Sequence, residues 1–201
     1  MARIFITGSS DGLGLMAGQL LAEQGYQVVL HARNTARAEA ALGALSKAEA
    51  VVVGDVQSIA GARDVADQCN RMHRSVASAL GDLLWEQRPW QGETAYGESK
   101  LYDVMLAFAI ARLWPDVLSN ALEPGWVATK MGGVGAPDDI DQAHRTQAWL
   151  AVSDDPAARV TGHYFYHLQE RSSNPEASDQ ALQAQLLARC QQLSGVSLAA
   201  R

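Results

Sequence analysis

The fold is decided by "RIFITGSSDGLGLMAGQLLAEQGYQVVLHARN", residues 3–34. Its first four residues form a short apolar run that ends at Thr7-Gly8. Residues 13–24 have helical composition and stop at Gly25, a residue suited to closing a helix. The Val-rich run 26–32 reads as a second strand. Beyond it, 35–47 is an Ala-rich helix with Thr35 as a candidate N-cap, and "AVVVGD" (50–55) is a third strand. Strands this apolar, alternating with helices, predict a parallel sheet covered on both faces. The expected fold class is α/β, a Rossmann-like doubly wound sheet, with the whole chain (1–201) as one domain.

"TGSSDGLG" lies at the first strand-to-helix junction, with Gly8, Gly12 and Gly14 in it. A tight turn after a strand needs residues that tolerate positive φ. A diphosphate approaches backbone only where side chains do not obstruct it, and the following helix presents free N–H groups and a positive dipole end. The same glycines would suit a turn with no ligand, but their place in a β-α-β unit favours dinucleotide binding. The expected contacts are Thr7, Gly8, Ser10, Asp11, Gly12, Leu13 and Gly14. The second strand ends in His31-Ala32-Arg33-Asn34, without the acid that holds a ribose 2′-hydroxyl in NAD sites. Arg33 offers a planar fork to a 2′-phosphate, so NADP is expected over NAD.

Further along, 58–72 reads as a helix with Ile59, Ala62, Val65, Ala66 and Cys69 on one face. Residues 73–93 contain no strand signal and end in a loop. A helix over about 95–114 is apolar on almost every side, so it is either buried or covered by a second subunit, which makes a homo-oligomer a candidate. A strand at 117–125, a Gly-rich loop at 132–137, a helix at 138–152 capped near Asp138-Asp139, and a last strand at 162–167 follow. Ser178 is the candidate cap of a final helix. Trp85 and Trp90 are read as packing residues, with a substrate pocket as the alternative.

Of the 201 residues 48% are hydrophobic and 19% charged, ample for a core without disulfides. The two cysteines, Cys69 and Cys190, have no ligand spacing and fit a reducing compartment. A net charge of −6 without a basic run argues against nucleic acid or anionic membrane as partner. No apolar stretch approaches the roughly 20 residues needed to span a bilayer. The expected location is cytoplasmic and the expected partner a small molecule. His163 and His167 would share a face of a strand, but no further ligand stands at a metal spacing, so no metal is expected.

"YGESK" places Tyr96 and Lys100 four apart on one helix face. A phenol alone ionises near pH 10 and is a poor acid–base catalyst at neutral pH. An ammonium beside it favours the phenolate, which suits proton exchange with a carbonyl or alcohol oxygen. Taken with "TGSSDGLG", Asp55 after the third strand and "NALEPGWVATK" (120–130), the chain resembles the short-chain dehydrogenase/reductase family. That resemblance covers residues 3 to about 167 and implies an NADP-linked carbonyl/alcohol oxidoreductase. It implies that Tyr96 donates the proton, while Lys100 binds the nicotinamide ribose and tunes Tyr96. It also implies that Asp55 contacts the adenine amino group, that Pro124-Gly125 lies beneath the nicotinamide, and that Val127 and Thr129 contact carboxamide and phosphate.

The chain departs from the family between Asp55 and Tyr96. The NNAG run that ends the family's fourth strand is missing, and Leu83 stands where the catalytic serine would precede Tyr96. The nearest serines, Ser75 and Ser78, follow no strand-like run. Only 40 residues (56–95) lie in this interval, too few for helix 58–72 and two further parallel strands with their crossovers. An internal deletion near 70–75 is expected, with strand 117–122 pairing directly with 3–6. The alternative to an enzyme is a non-catalytic nucleotide-binding protein, or an inactive relic of the deletion.

Overall fold

The computed structural model describes residues 3–53 and 79–200. Asp55, the expected helix 58–72, Ser75, Ser78 and the deletion point near 70–75 lie outside the described residues. The chain divides into two compact units, one made of the N-terminal segment with Val127–Asp154, the other of Gly61–Trp126 with Asp155–Arg201.

In the first unit, β1 (Arg3–Phe5), α1 (Gly12–Glu23), β2 (Gln27–Ala32), α2 (Thr35–Ala44) and β3 (Ala50–Val53) follow the expected alternation. The strands form a parallel sheet in the order β1-β2-β3, with Phe5 opposite Val29 and Ala32 opposite Val53. The central strand is the buried one: Val28, Leu30 and Ala32 are closed to solvent. Val28 and Leu30 join Leu21, Ala22, Ala41, Leu45 and Ala148 in one core. Gly18 lets α1 approach β2 closely, since a Cβ there would lie 3.2 Å from Leu30 Cδ2. α2 is capped by Asn34, whose side chain accepts from Arg37 N at 3.0 Å, and not by Thr35, which is already helical.

The expected helix 138–152 is two helices, α4 (Ile140–Ala143) and α5 (Arg145–Val152), separated at His144. Asp139 supplies the cap, accepting from Asp141 N at 2.9 Å. α5 carries Ala148 into the first unit's core.

The second unit contains α3 (Gly92–Leu113), β4 (Ala121–Glu123), β5 (Tyr164–Tyr166), β6 (Gln169–Glu170), a 3-10 turn (Pro175–Ser178) and α6 (Gln180–Ser194). Leu101 and Met105 of α3 pack with Leu80, Ala177 and Leu186. On this side, α3 is covered by Leu80 and by the chain's own C-terminal segment. Asp179 caps α6, accepting from Ala181 N at 2.8 Å and Leu182 N at 3.1 Å. Ser178 ends the preceding turn instead.

β4 pairs in parallel with β5, and β5 pairs antiparallel with β6, giving a separate three-stranded sheet. The expected pairing of 117–122 with 3–6 is thus not formed: β4's described partner is β5, and β1's is β2. Residues 79–93 hold no strand. The fold is α/β with a parallel Rossmann-like sheet reduced in strand number.

The last strand is shorter than expected and turns at His167 and Leu168, whose φ values of +46° and +67° reverse the chain into β6. His163 and His167 therefore do not share a strand face. His163 Nδ1 instead meets Glu170 Oε1 at 2.8 Å, and His167 stacks on Tyr166 with centroids 3.8 Å apart. No group of three metal-binding side chains occurs among the described residues. No helix among them is long and apolar enough to cross a membrane.

Candidate active site

The glycine loop belongs to the first unit. Gly8 and Gly12 have φ of +63° and +55°, a conformation that side chains with a Cβ rarely adopt. The space a Cβ would enter is open at both positions. Gly14 serves another purpose: a Cβ there would lie 2.6 Å from Gly8 O, so only glycine lets the first turn of α1 pack on the loop.

Two residues brace the loop from beneath. Ser9, fully buried, donates to Ile6 O at 2.7 Å and accepts from His31 N at 2.8 Å. His31 Nδ1 accepts from Gly8 N at 3.1 Å, which places the ring proton on Nε2. Sequence reading passed over both; a lone histidine within the Val-rich strand 26–32 was the available signal.

Asp11 stands at the N-cap position of α1, but its side chain makes no capping hydrogen bond. The carboxylate turns to two cations: Lys130 Nζ at 2.8 Å and Arg37 Nη1 at 3.3 Å, both on Oδ2. Arg37 also donates to Ser10 Oγ at 3.1 Å. Hydrogen bonding from Lys130 holds the Asp11 carboxyl below its ordinary range, against the opposing effect of partial burial, with Arg37's charge adding to the downward pull. Arg33 is exposed at the end of β2 and has no partner among the described residues. Sequence reading also missed Arg37, four positions beyond Arg33 in the first turn of α2, and Lys130.

These residues fit the phosphates of a dinucleotide. The turn is open where side chains would obstruct, the first turn of α1 has no side-chain cap, and Arg33, Arg37 and Lys130 outweigh the one carboxylate. Val127 and Thr129 belong to the same unit. Val127 is buried and bridges Asp138, while Thr129 N donates to Val127 O at 2.7 Å and Thr129 Oγ1 accepts from Gly132 N at 3.1 Å.

Tyr96, Lys100, Pro124 and Gly125 belong to the second unit. Tyr96 and Lys100 stand on one face of α3, both half-buried. Lys100 Nζ lies 5.7 Å from the centre of the Tyr96 ring and 2.5 Å from Asp103 Oδ2. Gly125, with φ of +83°, turns the chain after β4. Glu123, just before Pro124, is buried and accepts from Arg171 Nη1 at 2.5 Å.

The segment before α3 is ordered by charge. Asp82 accepts from the backbone N–H groups of Glu86, Gln87 and Arg88 at 2.8, 3.2 and 3.2 Å. The Arg88 guanidinium donates to both Glu98 oxygens, at 2.7 and 2.6 Å, and its Cζ lies 3.7 Å from the Trp85 ring centre. Arg88 Nε is 3.3 Å from Asp82 Oδ2, an ion pair without hydrogen-bond geometry. Trp85 and Trp90 meet edge to face at 5.4 Å, which supports the packing reading for this pair. Beside Glu98, the Tyr102 hydroxyl is buried without a hydrogen-bond partner among the described residues, and burial pushes its ionisation up to about 12.

A glycine-rich strand-to-helix turn on a parallel sheet, with Tyr96 and Lys100 on one face of a helix downstream, fits the class of nucleotide-binding α/β proteins. The short chain dehydrogenase family profile matches residues 2–80. An uncharacterized oxidoreductase of Emericella nidulans is 34% identical over 254 aligned positions, covering 98% of this chain and 99% of the relative. A short-chain dehydrogenase of Gibberella zeae is 29% identical, with 98% and 99% covered. An uncharacterized protein from Mycobacterium paratuberculosis, solved by crystallography, superposes with a TM-score of 0.69 at 20% identity over 97% of this chain and 94% of that one. This chain belongs to the short-chain dehydrogenase/reductase family and is an oxidoreductase by that membership. The Emericella alignment is longer than the chain's 201 residues, so that relative carries internal positions that this chain lacks.

Proposed function

We propose that the chain is an NADP-dependent oxidoreductase, one domain of residues 1–201 working in the cytoplasm on a small carbonyl or alcohol substrate. The observation that carries this reading is the glycine loop braced by Ser9 and His31, with cations gathered beside it. Thr7, Gly8, Ser10, Gly12, Leu13 and Gly14 would hold the diphosphate, and Asp55 the adenine. Arg33 would pair with the 2′-phosphate, since no acid stands at the end of β2 to hold a free 2′-hydroxyl.

A bound reduced nicotinamide supplies the hydride for the carbonyl carbon. Pro124-Gly125 would lie beneath its ring, and Val127 and Thr129 would contact its carboxamide and a phosphate. The Tyr96 hydroxyl gives its proton to the carbonyl oxygen, leaving a phenolate that the Lys100 ammonium stabilises and that solvent then reprotonates.

Fluorescence titration tests the cofactor assignment. NADPH is expected to bind more tightly than NADH, and Arg33→Met is expected to weaken NADPH about tenfold while leaving NADH unchanged. A clear preference of the unaltered protein for NADH contradicts it. The missing fourth- and fifth-strand motifs favour the second reading, a nucleotide binder without turnover. In that case NADPH binds but no carbonyl is reduced, and Tyr96→Phe changes nothing.

A further inference from the structure

Tyr96 and Lys100 have family roles, whereas Asp103 has none. On α3 the three stand at i, i+4 and i+7, on one face, while Glu98, Leu101, Met105 and Ala109 point to the buried side. The Lys100 ammonium is hydrogen-bonded to Asp103 at 2.5 Å while lying 5.7 Å from the Tyr96 ring centre. It thus lies beside the phenol with its charge partly offset by a carboxylate.

Other charged groups nearby have their own settings. On α3, Glu98 is held by Arg88, and Arg112 donates to Gln183 at 3.4 Å. Glu123 of β4 is held by Arg171, and Arg189 of α6 donates to Gln192. Asp82 and Asp179 accept from backbone N–H groups of their own segments, and among the described residues the ion pair of Lys100 is with Asp103.

We propose that Asp103 is a positioning residue for the Tyr96–Lys100 pair. Its carboxylate fixes one placement of a flexible ammonium and weakens the field that ammonium exerts on the phenol. The phenol then keeps its proton at neutral pH, the form a proton donor needs for carbonyl reduction. This rests on the proton-donor role given to Tyr96 above.

The test is a pH titration of the protein carrying tyrosine labelled with carbon-13 at Cζ, the Tyr96 signal being the one lost in Tyr96→Phe. In Asp103→Asn the Tyr96 midpoint is expected to fall by about half a pH unit, and Asp103→Glu to restore it. The alkaline fall of kcat/KM for NADPH-dependent reduction should move down by the same amount. A Tyr96 midpoint unchanged in Asp103→Asn overturns the proposal, as does an equal shift in Asp103→Glu. Failure of the proton-donor role is read separately, as full turnover in Tyr96→Phe, because the titration needs neither cofactor nor substrate.

Discussion

Gly14 and Gly43 are both helical glycines, yet they should respond oppositely to alanine. At Gly14 the added carbon meets Gly8 O at 2.6 Å, so the loop must shift. Gly14→Ala is expected to cost about 1–3 kcal/mol. At Gly43 nothing lies within 4 Å, so Gly43→Ala is expected to stabilise by about 0.5–1 kcal/mol. Urea midpoints read both, and equal effects would show that Gly14 is not in close contact. Asp11 carries a pH signature. Its carboxyl is held low by Lys130, so the stability it contributes is present above the ordinary carboxylate range and lost as pH falls through the lowered folded value. The stability gap between the natural chain and Asp11→Asn should be open near pH 7 and close in acid, as pH falls below the ordinary carboxylate range. A gap independent of pH would contradict the pairing. At this scale the glycines were legible because turn geometry demands their residue type. Arg37 and Lys130 were not: their role depends on Asp11 turning away from the α1 cap, and Lys130 lies 119 positions along the chain.

Among the elements, the segment joined to α3 shows how a turn without a strand is held in place. Arg88 and Glu98 are largely buried, with side-chain exposures of 17% and 7%. Removing one partner leaves the other charged and desolvated, so Arg88→Met is expected to cost about 3–5 kcal/mol. The double variant Arg88→Met/Glu98→Leu should recover much of that loss, as measured by denaturant unfolding. Additive losses would mean that the pair is not coupled. The alternation of β1 to β3 with α1 and α2 was legible because burial on both faces leaves an unbroken apolar run in each strand. Helix starts were less so. Asn34 and Thr35 are both good caps, as are Ser178 and Asp179, and only the backbone angles decide which one accepts the N–H groups. The β5–β6 hairpin turns on His167 and Leu168 in place of the Asn-Gly or Asp-Gly pair that marks such turns, so its composition carried no hairpin signal.

For the molecule as a whole, the family was legible from the two motifs and their order, and full-length relatives share it. The reduced strand number was legible by arithmetic, from the short interval between Asp55 and Tyr96. How the sheets re-form was not, because strand pairing is set by long-range contacts that local patterns do not encode: β4 pairs with β5, 43 positions away in register, and not with β1. The central claim is that the shortened chain still transfers a hydride with Tyr96 as proton donor. It is tested by NADPH oxidation against a panel of aldehydes and ketones, comparing the natural chain with Tyr96→Phe. The account predicts turnover that falls at least about 100-fold in Tyr96→Phe while NADPH affinity is unchanged. Equal rates in the two proteins would contradict it.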